Sequence, residues 1–181
     1  MKKELYFIAL IPEDTIQREI TDFKLFAAEH FDTVRALRSP PHVTLIPPFR
    51  WAEAEAMRKL HHALRRFAGK NTPFSVKLKG FGRFGTRVIF VHVELDDTLR
   101  QVQFGLRRYL ASEAGLEHDN NRPYHPHMTI AFKDLRRRMF RRAWIHFAGL
   151  AYERTFLADR LYLLRHDGQQ WQVDREFAFK K

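Results

Sequence analysis

The segment Pro40-Pro41-His42-Val43-Thr44-Leu45-Ile46-Pro47-Pro48-Phe49 has a counterpart later in the chain, where His127-Met128-Thr129-Ile130 repeats its centre. Both copies read His, apolar, Thr, apolar within short apolar runs bounded by proline or polar residues, which predicts a strand in each case. Side chains two positions apart lie on one face of a strand. His42 and Thr44 should therefore point the same way, as should His127 and Thr129. The repeat predicts two strands, in paired halves, that face a shared cleft.

The composition of the 181 residues is that of a folded, basic protein. Apolar residues make up 45% of the chain and 17 residues are Phe, which suffices for the packed interior of one domain spanning residues 1–181. The formal net charge of +11 favours a polyanionic partner such as nucleic acid or anionic lipid, although a merely basic surface has the same signature. The absence of cysteine excludes disulfides, thiolate nucleophiles and cysteine-ligated zinc.

The apolar run from Leu5 to Ile11 predicts a buried strand near the start of the chain. The run is too short to span a membrane, and no small-residue cleavage site follows it. We therefore expect a cytoplasmic protein that makes no use of a membrane.

Hydrophobic periodicity predicts the remaining elements. Helical spacing of apolar residues predicts helices at about 14–31, with Asp14 or Thr15 as its cap, and at 53–68, 98–114 and 135–150. Besides the two His-x-Thr strands, apolar runs predict strands at 74–79 and 87–95 and a hairpin of 156–164 and 170–179 turned at Asp167-Gly168. This order predicts an α+β fold of two lobes, one in each half of the chain, related by an approximate two-fold. Antiparallel sheets would flank a central cleft, with the helices outside.

Two His-x-Thr-x motifs on strands, in a basic chain of about this length, resemble the 2H phosphoesterase superfamily, and in particular its 2′-5′ RNA ligase group. The segment Phe81-Gly82-Arg83-Phe84-Gly85, leading into a strand from Arg87, is similar to the one that this family places between its motifs. The resemblance extends over nearly the whole chain and implies the bilobal 2H phosphoesterase fold. It also implies hydrolysis of RNA 2′,3′-cyclic phosphates to a phosphomonoester, with a 2′-phosphate as the expected product.

The resemblance implies that His42 and His127 are catalytic and that Thr44 and Thr129 bind the phosphate. The chemistry agrees, because opening a cyclic phosphate needs a base for the attacking water and an acid for the leaving ribose oxygen. Two imidazoles can hold opposite protonation states near neutral pH, and each Thr hydroxyl can donate to a non-bridging oxygen. Analogy with the family makes His42 the acid and His127 the base, while the symmetry of the motifs leaves that order open. Neither a metal nor another cofactor is required.

Residues near the motifs are candidates for substrate binding. Members of the family often carry a basic residue soon after the second motif, where this chain has Phe132. A phosphate clamp is therefore either missing or supplied from elsewhere in the chain, and Phe84 either stacks on a nucleobase or packs in the core. The candidate substrate-binding residues are Phe84, Arg87, Arg122, Tyr124, His125 and Lys133.

A metal site at the second motif is the first competing interpretation. His125 and His127 share a strand face, and with His42 they would make a three-imidazole zinc site. No carboxylate lies at a metal-site spacing, and Pro126 interrupts the strand, so we expect no metal. His125 is then placed at the mouth of the cleft or on the surface.

Two further patterns have alternative interpretations. Residues Gly80 to Gly85 match Gly-x-Gly-x-x-Gly, but the dinucleotide-binding form needs a following helix, and here a strand follows. Five arginines between Arg136 and Arg142 are either a solvated helix face or contacts to a phosphate backbone.

The leading hypothesis is a metal-independent phosphodiesterase, acting as a monomer without an obligate protein partner on RNA or nucleotides with a cyclic phosphate. A non-catalytic protein that binds RNA ends or nucleotides in the same cleft is the alternative. A third hypothesis is a basic adaptor whose partner contacts the arginine-rich helix. Nothing in the sequence resembles a nucleotide-activation site, so the family name implies no ligase activity.

Overall fold

The structure is a computed structural model that describes residues 4–51, 54–117 and 123–181. Within these residues, two four-stranded antiparallel sheets and four α-helices form two lobes. The strands are β1 Glu4–Leu10, β2 Val43–Trp51, β3 Phe74–Phe84, β4 Val88–Val93, β5 His127–Ala131, β6 Glu153–Ala158, β7 Arg160–His166 and β8 Trp171–Ala178. The helices are α1 Asp14–Phe31, α2 Ala54–Ala68, α3 Asp97–Ala114 and α4 Arg137–Ala148, with a short 3-10 helix at Arg35–Arg38.

The two His-x-Thr strands occupy equivalent places in the two sheets. The strand orders are β2-β1-β7-β8 and β5-β4-β3-β6, so β2 and β5 each form an edge. Strand β2 pairs with β1, where Thr44 lies opposite Ala9, and β5 pairs with β4, where His127 lies opposite His92. The predicted architecture of two related antiparallel lobes is confirmed.

Apolar side chains from both sheets join in one buried cluster. Leu45 of β2, Leu78 of β3, Met128 of β5 and Leu163 of β7 are all essentially inaccessible to solvent and belong to it. The apolar stripe of α1 packs onto the same cluster, as its helical spacing predicts. None of the helices in the described part of the chain is both long and apolar enough to cross a membrane.

The lobes do not correspond to the two halves of the chain. Strands β4 and β3, expected in the first lobe, pair with β5 and β6 respectively, while β7 returns to pair with β1 and β8 pairs with β7. The predicted single strand 156–164 is divided at Asp159 into β6 and β7, which belong to different sheets. At this division, the Arg160 guanidinium binds both Asp159 at 2.9 Å and Glu176 at 2.8 Å. The prediction failed because periodicity indicates which face of a strand is buried but not which sheet it joins. The hairpin of β7 and β8 around Asp167 is as predicted.

Two local predictions also differ from the structure. The Phe81–Phe84 segment, which falls between the predicted strands 74–79 and 87–95, continues β3. A bulge between Leu78 and Phe81, with Gly80 at φ 69°, absorbs the change in register. Helix α1 has Glu13 at its N-cap and no side-chain cap, so neither Asp14 nor Thr15 caps it. The predicted start of the second helix, Glu53, lies outside the described residues.

Candidate active site

His42 and His127 have the same backbone setting in the two lobes. His42 directly precedes β2 and His127 begins β5. In each ring, Nδ1 lies 2.7 Å from the carbonyl oxygen two residues earlier, which belongs to Pro40 for His42 and to His125 for His127. A buried proline stands between donor and acceptor in both copies. The internal repeat is therefore Pro-His-x-Thr, and it includes a backbone carbonyl that the shorter His-x-Thr pattern had not indicated.

These bonds fix the tautomer of both imidazoles. A carbonyl oxygen only accepts hydrogen bonds, so Nδ1 of His42 and Nδ1 of His127 each carry a proton. The other nitrogen, Nε2, is then a lone-pair acceptor in the neutral ring and an N–H donor in the imidazolium. Each histidine can therefore act as a base or as an acid at the same atom.

Each imidazole packs against a phenylalanine of the neighbouring strand. The ring centroids of His42 and Phe7 on β1 are 4.6 Å apart, and those of His127 and Phe90 on β4 are 5.1 Å apart. Phe84 adds an edge-on contact to His127 at 4.9 Å. These rings exclude water from one side of each imidazole and hold its orientation.

Burial dominates the acid–base behaviour of both histidines. It lowers the pKa of His42 from its ordinary value to about 4; the bond to Pro40 opposes this shift, while the charges of Lys24 and His127 add to it. Burial also lowers the pKa of His127, against the opposing effect of its bond to His125. Both rings are therefore neutral at pH 7 in the free protein, and a positive charge on His127 disfavours protonation of His42.

Gly82 allows the packing beneath His127. It pairs with Phe90 across β3 and β4, and a Cβ atom at Gly82 would lie 2.3 Å from the Phe90 ring. No real Cβ atom tolerates that approach, so any larger residue would displace Phe90 and with it the support of His127. The glycine-rich segment therefore has a packing role next to the second motif.

The two threonines are partly buried beside their histidines, and the first is tied to the opposite lobe. The Tyr124 hydroxyl donates a hydrogen bond of 3.0 Å to the carbonyl oxygen of Thr44. This bond joins the segment before β5 to β2, so Tyr124 holds the two motifs in a fixed relation. Burial raises the pKa of Tyr124, which keeps the hydroxyl protonated as a donor.

A cavity of about 940 Å³ opens between the lobes and brings five of the predicted residues together. These residues are Thr44, Phe84, Tyr124, His125 and His127. His42 and Thr129 do not line this cavity. Its opposite wall is formed by α3, which was expected to lie outside the cleft with the other helices. The residues of this wall are Arg100, Gln101, Gln103, Phe104 and Arg107.

Two other predicted binding residues, Arg87 and Lys133, do not line this cavity. Arg87 is exposed after the β3–β4 turn, where its backbone N–H donates to the Phe84 carbonyl at 3.4 Å. Lys133 follows β5 with a left-handed φ of 60°, and its ammonium lies 5.3 Å from the centroid of the Phe132 ring. Arg122 lies outside the described residues. Among the arginines that the structure describes, Arg100 and Arg107 line the cavity.

A buried lysine supports the first motif. Lys24 of α1 is 2% exposed, its ammonium donates to the carbonyl of Ser39 at 2.9 Å, and burial lowers its pKa to about 8. Ser39 directly precedes Pro40, whose carbonyl orients His42. Lys24 lies four residues after the buried Ile20 on the same face of α1, and no sequence pattern pointed to its partner.

The arginine-rich segment lies on the outer face of α4. The described arginines from Arg136 to Arg142 are exposed, while Phe140 and Phe147 of the same helix are buried, and none of these arginines lines the cavity between the lobes.

Across the described residues, no three His, Cys, Asp or Glu side chains converge as ligands for a metal ion. His125 and His127 are separated by 6.5 Å between ring centroids.

A protein-family model, a bacterial relative and several solved structures are similar to this chain. The sequence matches the family model of the 2′-5′ RNA ligase superfamily over residues 12–170. A Geobacillus kaustophilus (strain HTA426) protein, provisionally named a phosphoesterase, is 33% identical over 99 residues, which make up 54% of each chain. The alignment with this relative thus spans about half of its length.

Solved structures show the same fold along the whole chain. The Thermus thermophilus protein TT0787 superposes with a TM-score of 0.69 at 20% identity, covering 98% of each chain. LigT of E. coli in complex with 3′-AMP superposes with a TM-score of 0.68 at 19% identity, covering 99% of this chain and 100% of LigT. These likenesses establish the fold, while the family match establishes kinship: the chain belongs to the 2′-5′ RNA ligase superfamily.

Proposed function

We propose that this protein is a phosphodiesterase that hydrolyses 2′,3′-cyclic phosphate ends of RNA or of related nucleotides without a metal ion. The observation that supports it most strongly is the pair of equivalent bonds from Nδ1 of His42 and Nδ1 of His127 to backbone carbonyls, each 2.7 Å long. Two histidines fixed in the same tautomer at matching positions of two related lobes are suited to acid–base chemistry on two sides of one phosphate.

The proposed reaction is an in-line displacement by water. Nε2 of His127 takes a proton from the attacking water as its oxygen bonds to phosphorus. The bond from phosphorus to the ribose 3′ oxygen breaks, and Nε2–H of His42 protonates that oxygen, which leaves a 2′-phosphate. The hydroxyls of Thr44 and Thr129 donate to the non-bridging oxygens, where negative charge increases in the transition state. The symmetry of the site also permits the reverse assignment of acid and base.

Because the pKa of His42 is low, the bound substrate must favour protonation of His42 before this histidine can act as the acid. In the free protein, a histidine with a pKa of about 4 is almost entirely neutral at pH 7. A bound phosphodiester brings a negative charge next to the ring, favours the imidazolium and raises its pKa. Substrate binding and formation of the acid are therefore coupled in this scheme.

The character of the ligand is inferred from the chain and from a relative. The net charge of +11 favours a polyanion, and the cavity of about 940 Å³ has room for a nucleotide. LigT of E. coli, a structural relative, has been crystallised with 3′-AMP. A nucleotide or RNA end is the ligand class that suits these features together.

The test is hydrolysis of a short RNA that ends in a 2′,3′-cyclic phosphate, with EDTA present. We expect wild type to release a 2′-phosphate end, and we expect His42→Ala and His127→Ala each to lose most of this turnover while still binding the RNA. Absence of wild-type turnover, together with tight binding of the same RNA, would instead favour the alternative function of a non-catalytic RNA-end binder.

A further inference from the structure

Helix α3 gives the cavity a wall that the proposed reaction does not use. Arg100, Phe104 and Arg107 are spaced by four and three residues, so they lie on one face of the helix, and all three line the cavity that contains His127. Phe104 is 56% exposed, an unusual state for a large aromatic side chain. The Arg108 guanidinium lies 5.6 Å from the centroid of the Phe104 ring.

The wall is held in a fixed position relative to the first motif. Gln103, next to Phe104, donates a hydrogen bond of 3.2 Å from Nε2 to the carbonyl oxygen of Leu45, which follows Thr44 in β2. Asp96 caps the helix by accepting from the N–H of Leu99 at 2.8 Å. The exposed ring of Phe104 is therefore presented by a rigid helix at a set place in the cleft.

The chemistry of this wall selects one class of ligand. None of the described residues that line the cavity is acidic, and two of them are arginines. An exposed aromatic ring flanked by arginines is the combination that binds single-stranded nucleic acid, because bases stack on the ring while the arginines attract phosphates. The cavity of about 940 Å³ is at the upper end of the range of ligand pockets, which suits a large ligand.

We propose that the face of α3 formed by Arg100, Phe104 and Arg107 binds the nucleotide that precedes the reacting end of a single-stranded RNA. The base of that nucleotide stacks on Phe104, and the arginines hold the adjoining phosphate. The preferred substrate is then an oligonucleotide rather than a cyclic mononucleotide. This inference rests on the proposed function, since it assigns the reacting end to the two histidines.

The experiment compares a trinucleotide that ends in a 2′,3′-cyclic phosphate with a mononucleoside 2′,3′-cyclic phosphate. We expect wild type to prefer the trinucleotide in kcat/KM, and Phe104→Ala to reduce the ratio of the two values roughly tenfold, the effect of losing one stacked base. Phe104→Trp should keep the ratio, because it keeps the stacking surface. Ile145→Ala is the matched control, since Ile145 is a large exposed apolar residue on α4 that does not line the cavity.

An unchanged ratio in Phe104→Ala would overturn the inference and leave the proposed function intact. If wild type hydrolyses neither compound, the proposed function fails, and binding then tests the α3 site by itself. Fluorescence anisotropy with a labelled trinucleotide ending in a 3′-phosphate should give a roughly tenfold weaker Kd for Phe104→Ala than for Ile145→Ala. Equal Kd values would mean that Phe104 serves some other surface, such as a protein contact, and would overturn the inference.

Discussion

Nδ1 of His42 donates to the carbonyl oxygen of Pro40 over 2.7 Å, and the same contact recurs between His127 and His125. In other acid–base sites a buried carboxylate often fixes the tautomer of the histidine. Here a backbone carbonyl fixes the tautomer of each ring and leaves Nε2 available for proton transfer. Unlike a carboxylate, it adds no negative charge, so burial is free to lower the pKa of the ring. The consequences for stability and for rate can both be measured.

The first prediction concerns stability at mildly acidic pH. Between pH 6.5 and about 4, the His42 ring is protonated in the unfolded chain but neutral in the folded protein. The unfolded state then binds more protons, so the free energy of unfolding falls as the pH drops through this window, by about 3 kcal/mol at most from His42. Urea unfolding at several pH values should show a shallower decline in His42→Gln.

His62→Gln is the control for this prediction, because His62 is exposed on α2. As the pH falls, the free energy of unfolding of His62→Gln should decline as steeply as that of wild type. If His42→Gln and wild type lose stability in parallel from pH 6.5 to 4, then the buried ring of His42 does not cause the decline.

The second prediction concerns the pH dependence of hydrolysis. The kcat/KM profile reports the free enzyme, in which burial lowers the pKa of both histidines below 6.5. The base is lost by protonation at low pH and the acid by deprotonation as the pH rises, so the optimum of kcat/KM should lie between about pH 4 and 6.5. The kcat profile should be displaced to higher pH, because bound phosphate raises the pKa of the acid. An optimum of kcat/KM above pH 7 would contradict this account.

The third prediction concerns Gly82. Replacement by Ala places a Cβ atom 2.3 Å from the Phe90 ring. The ring must then move, which disrupts its contact with His127. We expect Gly82→Ala to lower kcat at least tenfold and to destabilise the fold by about 1–3 kcal/mol through overpacking. Steady-state kinetics and thermal unfolding measure the two effects.

Gly105→Ala provides the comparison. Gly105 lies inside α3, and a Cβ atom there would be 3.7 Å from Phe67, an ordinary van der Waals distance. It should be neutral or stabilising by up to about 1 kcal/mol. Wild-type kcat in Gly82→Ala would show that Phe90 does not position His127.

The fourth prediction concerns the two hydroxyls. Thr44→Val and Thr129→Val keep the shape of the side chain and remove the hydroxyl proposed to donate to the phosphate. Each should lower kcat by roughly 10²- to 10³-fold with little change in KM, as expected for a donor that acts on transition-state charge. Thr155→Val, at an exposed position of β6, should leave both constants unchanged. A rise in KM with constant kcat would assign the hydroxyls to ground-state binding instead.

The sequence predicted what depends on local pattern. The repeat of His42 with Thr44 and of His127 with Thr129 predicted two equivalent strands, and the helical spacing of α1, α2 and α3 predicted their extents closely. Strand periodicity carries no information on which sheet a strand enters, so the crossing of the chain between lobes at Asp159 was not foreseen.

The α3 wall was missed for a related reason. Arg100, Phe104 and Arg107 look in the sequence like an ordinary exposed helix face, and only the packing of α3 on β2 brings that face to the cavity. The carbonyls of Pro40 and His125 carry no side-chain signal either. The proline directly before each histidine was the sequence feature shared by the two carbonyl contacts, and the His-x-Thr pattern does not include that proline.

The most direct test of the paired-histidine site is single-turnover hydrolysis of a 2′,3′-cyclic phosphate RNA in EDTA by wild type, His42→Ala, His127→Ala and the double variant. The account predicts that each single variant loses about 10²- to 10⁴-fold in rate and that the double variant loses little more, because acid and base act as one unit. Turnover within tenfold of wild type in either single variant would contradict it.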